Sequence, residues 1–175
     1  MTKLYKSALI LNLIILFITA CSLQARQGEQ IPPKTTIYKE VLGKSLNDQV
    51  VADFIATNNC SSAAQFQLCN EVGVALVIGP DQTVETVYLC LNDVKDFTPY
   101  KGELPFGLKF YDTMGAVEYR LKKQGVGNEG LPDSGSTPDH VHYWANYKQV
   151  GMTIIYNTLS AEDEDGMIYA ILVSQ

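Results

Sequence analysis

Residues 72–91 read VGVALVIGPDQTVETVYLCL, and this stretch decides the fold. Apolar side chains occupy every second position on both sides of the Gly-Pro-Asp triplet at 79–81, which is the pattern of a half-buried strand. The triplet itself is typical of a turn. The stretch therefore predicts two antiparallel strands joined by a turn, with one apolar face. The alternating positions are Val74, Leu76, Ile78, Val87, Leu89 and Leu91.

A helix and a further strand are predicted just before this hairpin. Ser45 is a candidate N-cap, and Asp48 follows three residues later, as in a capping box. Asn58 and Asn59 end the helix, and residues 64–69 form another short apolar run. The order is thus one helix followed by three strands. The helix would bury one face, made of Leu46, Val50, Val51, Phe54 and Ile55.

The same order recurs in the second half of the chain. A helical stripe is followed by a candidate stop at Gly125, and residues 140–147, 151–157 and 167–173 are β-like. Residues 71–74 (EVGV) resemble residues 149–152 (QVGM). The stripe consists of Met114, Val117 and Leu121.

This recurrence predicts a duplicated unit. The pair Gly73 and Gly151 is fourteen residues further apart than the pair Gly43 and Gly107, and the Gly/Pro/Ser-rich residues 125–139 could absorb that difference. The expected fold class is α+β, with two tandem modules that each combine a helix with a three-stranded antiparallel sheet. Chance agreement of two small segments is the alternative. The modules would span residues 37–95 and 96–175.

The amino-terminal segment has the layout of a secretory signal. Two lysines precede the apolar residues 9–18, and Ile18-Thr19-Ala20-Cys21 follows. This resembles the lipobox of bacterial lipoproteins. The resemblance implies removal of residues 1–20, palmitate and other acyl chains on Cys21, and a place in the cell envelope. Ser22 favours the outer membrane, facing the periplasm. An ordinary signal with a chance cysteine, or a Gram-positive host, remains open.

Residues 21–36 are polar and contain Pro32-Pro33, so they are predicted to form a flexible tether. The formal charge of −6 becomes −8 when Lys3 and Lys6 leave with the signal. An acidic chain argues against nucleic acid and against anionic lipid headgroups as partners. It suits a basic partner protein, although negative charge also serves solubility.

Three cysteines remain beyond Cys21, and export allows them to oxidise. The preferred disulfide is Cys60–Cys69, with Cys69–Cys90 as the rival. An odd number leaves one thiol unpaired within the chain.

Few residues in the sequence are candidates for metal binding or catalysis. His140 and His142 would share a strand face and are weak metal candidates, and residues 162–166 (EDEDG) could be either a calcium loop or a solvated turn. We find no nucleophile elbow, P-loop or dinucleotide fingerprint. The sequence therefore predicts no catalytic residues, no cofactor and no firm metal site.

A second resemblance rests on LPFGLKF at 104–110, the helical stripe around Val117, Trp144 and GMTIIY at 151–156. This layout is similar to the repeat of β-lactamase inhibitor proteins and to small outer-membrane lipoproteins of the SmpA/OmlA family. The resemblance implies a helix packed on a short antiparallel sheet whose face or loops bind another protein. The chain departs from those families at 111–114, where a Gly-Met-Thr helix start is absent.

The expected function is that of a membrane-anchored, non-enzymatic lipoprotein that binds another envelope or secreted protein. An aromatic patch would be buried in the partner, and acidic loops would steer the encounter. One alternative is an immunity or inhibitor lipoprotein that neutralises a toxin or enzyme. The other is an envelope enzyme with a carboxylate or metal site. The candidate contacts are Tyr143, Trp144, Tyr147 and Tyr156.

Overall fold

The computed structural model describes residues 36–91, 94, 96–126, 133–136, 142–158 and 165–175. Every described residue belongs to one compact unit, Lys34–Gln175. The signal, the lipid-anchor candidate Cys21 and most of the tether thus lie outside the described residues.

Three α-helices and eight strands make up the described part. The helices are α1 (Ile37–Val41), α2 (Gln49–Thr57) and α3 (Met114–Lys123). The strands are β1 (Ser61–Ala63), β2 (Phe66–Cys69), β3 (Val74–Ile78), β4 (Val84–Cys90), β5 (Asp133–Ser136), β6 (Tyr143–Tyr147), β7 (Met152–Tyr156) and β8 (Ile168–Ser174).

All eight strands belong to one antiparallel sheet with the order β1-β2-β3-β4-β8-β7-β6-β5. The predicted fold class, with two tandem modules that each hold their own three-stranded sheet, is therefore wrong. The two halves of the sheet meet where β4 pairs with β8, a pairing here called the seam. It joins Thr86–Cys90 to Ala170–Ser174. Without this pairing both strands would expose unpaired backbone groups along an edge, and the seam satisfies them.

The two halves of the sheet repeat the same geometry. Tyr88 pairs with Leu172 at the middle of the seam, and the strands on either side appear in mirrored order. In each half a one-turn 3₁₀ helix ends in a left-handed glycine, Gly73 or Gly151, just before the third strand of that half. These are the glycines of the sequence match between EVGV and QVGM.

Gly151 offers a test of this geometry. Its φ is +58°, and an added Cβ would clash with the backbone carbonyl of Ser174, whereas Gly125, at φ +78°, has open space around it. We expect Gly151→Ala to lower the free energy of unfolding by ~3 kcal/mol and Gly125→Ala by only ~1 kcal/mol. Urea denaturation of both variants measures the difference, and equal losses would contradict the clash.

One face of the sheet, here called the core face, carries the hydrophobic core. A row of directly paired residues crosses five strands on this face, and all of them are buried. The helices add Val41, Val51, Val117 and Leu121 to the same cluster, so they pack on the core face. The row is Val74, Leu89, Ile171, Ile154 and Ala145.

The positions of the helix ends show that the predicted N-cap of α2 is wrong and confirm the predicted stop of α3. Asp48, not Ser45, is the N-cap of α2, and its carboxylate accepts a hydrogen bond from the Val50 N–H at 3.1 Å. Ser45 forms an isolated bridge with Thr83 instead. Gly125 does follow the C-cap of α3 with a positive φ, as predicted.

Two strands occur where none was predicted. β1 lies at one edge of the sheet, and β5 lies at the other, within the segment predicted to be a loop. Both are short and lack the apolar alternation that marks a strand in sequence. They acquire strand geometry by pairing with β2 and β6.

The disulfide joins Cys60 to Cys69, the preferred pairing, and Cys90 is a buried free thiol. Cys60 lies just before β1 and Cys69 ends β2. The bond therefore ties an edge strand to its neighbour.

A buried carboxylate fixes the loop before α3. The Asp112 side chain accepts hydrogen bonds from the Lys109 N–H at 2.8 Å and from Arg120 Nη2 at 3.3 Å, and only 7% of it is exposed. Arg120 Nε also lies 3.3 Å from Asp112 Oδ2, an ion-pair contact whose angle does not make a hydrogen bond.

We expect Asp112→Ala to lower the free energy of unfolding by ~2 kcal/mol, because it leaves the Lys109 N–H and the half-buried guanidinium without their acceptor. Lys44→Ala is the matched control, since it removes the exposed Lys44–Asp48 pair at 3.9 Å. That change should cost less than ~0.5 kcal/mol. Chemical denaturation of the two variants tests the contrast, which similar losses would refute.

Candidate functional site

The second face of the sheet, here called the outer face, is separate from the core. Strand pleating alternates the side chains between the two faces, so the residues between the core-face positions point the other way. Ala75, Cys90 and Ala170 are buried but do not belong to the core cluster. No described helix packs on this face, because the buried helix residues all join the core-face cluster.

The outer face spans the sheet in three rows of directly paired residues. Its larger side chains are half-buried, so part of each remains open to solvent. The first row is Phe66, Val77, Thr86 and Ser174; the second is Leu68, Ala75, Tyr88, Leu172, Thr153 and Asn146; the third is Cys90, Ala170, Ile155 and Trp144.

Aromatic rings lie in both halves of the outer face. The rings of Phe66 and Tyr88 meet edge to face, with centroids 6.4 Å apart. In the other half His142 lies against Tyr169, with centroids 4.0 Å apart. Trp144 lies two residues after His142 on the same strand face. Rigid rings with polar tips, spread over a sheet, are typical of protein contact surfaces.

No residue in the three rows carries a formal charge. Polar character comes from hydroxyl and amide groups, and the hydroxyls of Thr86 and Ser174 lie 2.9 Å apart across the seam. Glu85 stands beside the first row, where the β3–β4 register shifts by one residue. The surface can therefore bury apolar groups and exchange neutral hydrogen bonds without removing charges from water.

Burial of the Cys90 thiol disfavours its thiolate form. Burial raises its pKa from 9.0 to about 12, so almost all of it is protonated at neutral pH, and the thiolate is the reactive form. Burial also raises the pKa of the neighbouring Tyr88 hydroxyl, and Cys90 adds to this effect.

The raised pKa predicts slow modification of Cys90. The folded protein should react with iodoacetamide tenfold faster for each pH unit gained up to about 12, whereas the urea-unfolded chain should level off near 9.0. Since folding favours the neutral thiol, this group should also cost stability as the pH rises from 9.0 toward about 12. Mass spectrometry measures the labelling, and a rate that levels off near neutral pH would contradict a buried thiol.

The structure separates the four aromatic residues that the sequence proposed as partner contacts. Trp144 lies on the outer face. Tyr143 is half-buried against the core, and Tyr147 and Tyr156 are buried in it, with 6% and 0% of their surfaces exposed. Burial raises the pKa of both buried tyrosines, and a hydrogen bond between their two hydroxyls also acts on both pKa values. Those two side chains are therefore closed to a partner.

The structure describes only some of the residues that the sequence proposed as metal candidates. His140 and residues 162–164 lie outside the described residues, His142 lies against Tyr169, and Asp165 is exposed. Within the described ranges, no group of three or more His, Cys, Asp or Glu side chains is placed to hold a metal ion.

An open cavity of ≈ 460 Å³ borders the outer face at the β3–β4 turn. It reaches Val77 and Glu85 at the rim of the first row. Its lining also includes Gln65, Gln67 and Gln82, and Glu85 adds a carboxylate. The cavity therefore lies at the edge of the outer face, where the uncharged rows end.

Sequence reasoning missed Tyr88 and Leu172 as outer-face residues. The signal was present, because Tyr88 lies between Val87 and Leu89 in an alternating strand. Its face was therefore predictable, but the absence of a second layer of described helices over that face was not.

Comparisons with protein-family models, with curated proteins and with solved structures each find no match for this chain. Among the helices that the structure describes, none is both long and apolar enough to cross a membrane.

Proposed function

We propose that this protein is a membrane-anchored, non-enzymatic lipoprotein of the bacterial cell envelope that binds another protein through the outer face. The observation that carries the proposal is a sheet face with half-buried aromatic side chains, lying opposite a face on which every described helix packs. Soluble domains normally cover such a face or use it for contact.

The dimensions of the outer face suit a protein contact. Eight strands spaced ~4.8 Å apart and about five residues long, at ~3.3 Å per residue, give a flat area of roughly 600 Å². A specific interface takes about 800 Å² from each partner. The outer face and its rim together are of that order.

The anchor is the second part of the proposal. Ile18-Thr19-Ala20-Cys21 supports lipid attachment at Cys21, and acylation at that residue would hold the folded part near a membrane. Labelled palmitate recovered in the wild-type protein, and lost in Cys21→Ser, is the expected result. Equal labelling of both would overturn the anchor.

The binding role is tested by capture of partners. The tagged protein is isolated from its own membranes in mild detergent, beside a variant with Trp144→Ala and Tyr88→Ala. Lys44→Ala is the control, because Lys44 lies on the loop before α2 and belongs to none of the outer-face rows. A protein that copurifies with the wild type and the control, but not with the double variant, is expected. Identical capture by all three would overturn the assignment to the outer face.

A further inference from the structure

Large exposed apolar side chains are concentrated around α3. Among the described residues they are Tyr111, Tyr119 and Met167, with 72%, 62% and 41% of their surfaces exposed. Tyr119 lies on α3 itself. Tyr111 is two residues before the N-cap Thr113, and Met167 forms an isolated bridge with Thr113.

The exposed part of α3 also carries two lysines, together with the exposed Glu118 four residues before Lys122. Met114, Val117 and Leu121 turn toward the core, so the helical period places Tyr119 and Lys123 on the opposite side. Lys123 Nζ lies 4.6 Å from the centroid of the Tyr119 ring. Lys122 is exposed on the same turn. Neither lysine forms an ion pair with a described residue, whereas Arg120 is paired with Asp112.

These residue types match the chemistry of a lipid surface. Tyrosine places its ring beside the acyl chains and its hydroxyl among the headgroups, and lysine extends its ammonium toward phosphate. We name the set Tyr111, Tyr119, Lys122, Lys123 and Met167 the α3 patch. The acidic composition of the whole chain argued against anionic lipid, and the exposed Glu118 and Asp165 lie close by in sequence. Lys122 and Lys123 nevertheless form no ion pair with a described residue, so their ammonium groups remain available to phosphate.

We infer that the α3 patch rests on a bilayer containing anionic phospholipid when the protein is anchored. The inference builds on the anchor part of the proposed function. Each lysine near an anionic surface contributes about five-fold in affinity, so two lysines and three apolar side chains give only weak binding on their own.

Lipid attachment at Cys21 would make this weak binding sufficient to orient the folded domain. Fourteen residues lie between Cys21 and Thr36, and the predicted tether of that length would span roughly 20 Å. Such a short link raises the effective concentration of the membrane to about the millimolar range. The α3 patch would then decide which side of the domain faces the lipid.

This orientation has a consequence for binding. α3 packs on the core face, so its outward side and the outer face lie on opposite sides of the sheet. With the α3 patch on the bilayer, Tyr88 and Trp144 face the aqueous compartment, where a partner can reach them.

Lysine acylation tests the inference on the native protein. The membrane-purified protein is reconstituted into vesicles of phosphatidylcholine alone, or of an equal mixture of phosphatidylcholine and phosphatidylglycerol. A water-soluble succinimidyl ester labels it, and mass spectrometry reads each lysine. Flotation on a density gradient reports separately whether the protein is attached to the vesicles.

We expect Lys122 and Lys123 to react about five-fold more slowly in the anionic vesicles than in phosphatidylcholine alone. Lys44, on the loop before α2, should react equally in both. Tyr111→Ser with Tyr119→Ser should float as the wild type does but lose the protection.

Each remaining outcome counts against the inference in a distinguishable way. Flotation with equal acylation of Lys122, Lys123 and Lys44 in both vesicles overturns the α3 patch and leaves the anchor standing. Failure to float overturns the anchor and the inference with it. Protection in native membranes but not in pure lipid vesicles assigns the patch to a protein and overturns the lipid contact.

Discussion

Replacing Trp144 and Tyr88 together by alanine is expected to weaken binding of the copurifying partner by about 100-fold. Both rings lie on the outer face, in different halves of the sheet, and both are half-buried. Large aromatic side chains near the centre of an interface often contribute more than 1 kcal/mol each when truncated, and two of them sum to about this factor. Titration of the purified partner by calorimetry measures the loss.

The same double variant should remain folded. Neither ring belongs to the core cluster, so we expect a stability loss of ~1 kcal/mol per ring, well below that of a core truncation. Thermal unfolding monitored by circular dichroism provides this control. Unchanged affinity in a folded double variant would show that the partner binds elsewhere.

Truncating Tyr156 to alanine is expected to produce the largest loss of stability, about 3–5 kcal/mol. Tyr156 is fully buried between strands β6 and β8, opposite Tyr143 and Ile168, and its ring is part of the core cluster. Removing the ring leaves a cavity that close-packed neighbours cannot fill. Urea denaturation measures the change.

Tyr156→Phe is the matched variant, and it should lose far less stability. It keeps the buried ring and removes only the hydroxyl, which forms a hydrogen bond with the Tyr147 hydroxyl. We expect a loss of about 1 kcal/mol, the usual net contribution of one hydrogen bond. A loss as large as that of the alanine variant would contradict the role assigned to the ring.

Much of the local structure could be predicted from periodicity. The alternation in residues 72–91 placed β3 and β4, and the stripe of Met114, Val117 and Leu121 placed α3. These features depend on neighbours a few residues apart, which the sequence displays directly. The N-cap of α2 was misplaced by three residues because Ser45 and Asp48 are both good capping residues, and the bridge from Ser45 to Thr83 is a long-range contact.

The candidate site could be predicted only in part. Alternation sets Trp144 apart from Tyr143 and Tyr147, since neighbouring strand residues point to opposite faces. It does not say which face the helices cover. Tyr147 and Tyr156 were proposed as contacts because of their chemistry, and burial in the core removes them from that role.

The amino-acid order by itself determined where the central strands and the two longer helices run, which side chains share a face, and the lipobox from which export and anchorage are proposed. Tertiary structure alone decided that β4 pairs with β8, that two sets of strands form one sheet, and that one face is left without a described helix. The reason is physical: pairing between strands about eighty residues apart depends on the backbone groups and surfaces left unsatisfied after local structure forms. A pattern within a few neighbouring residues does not show which of these groups and surfaces are left unsatisfied.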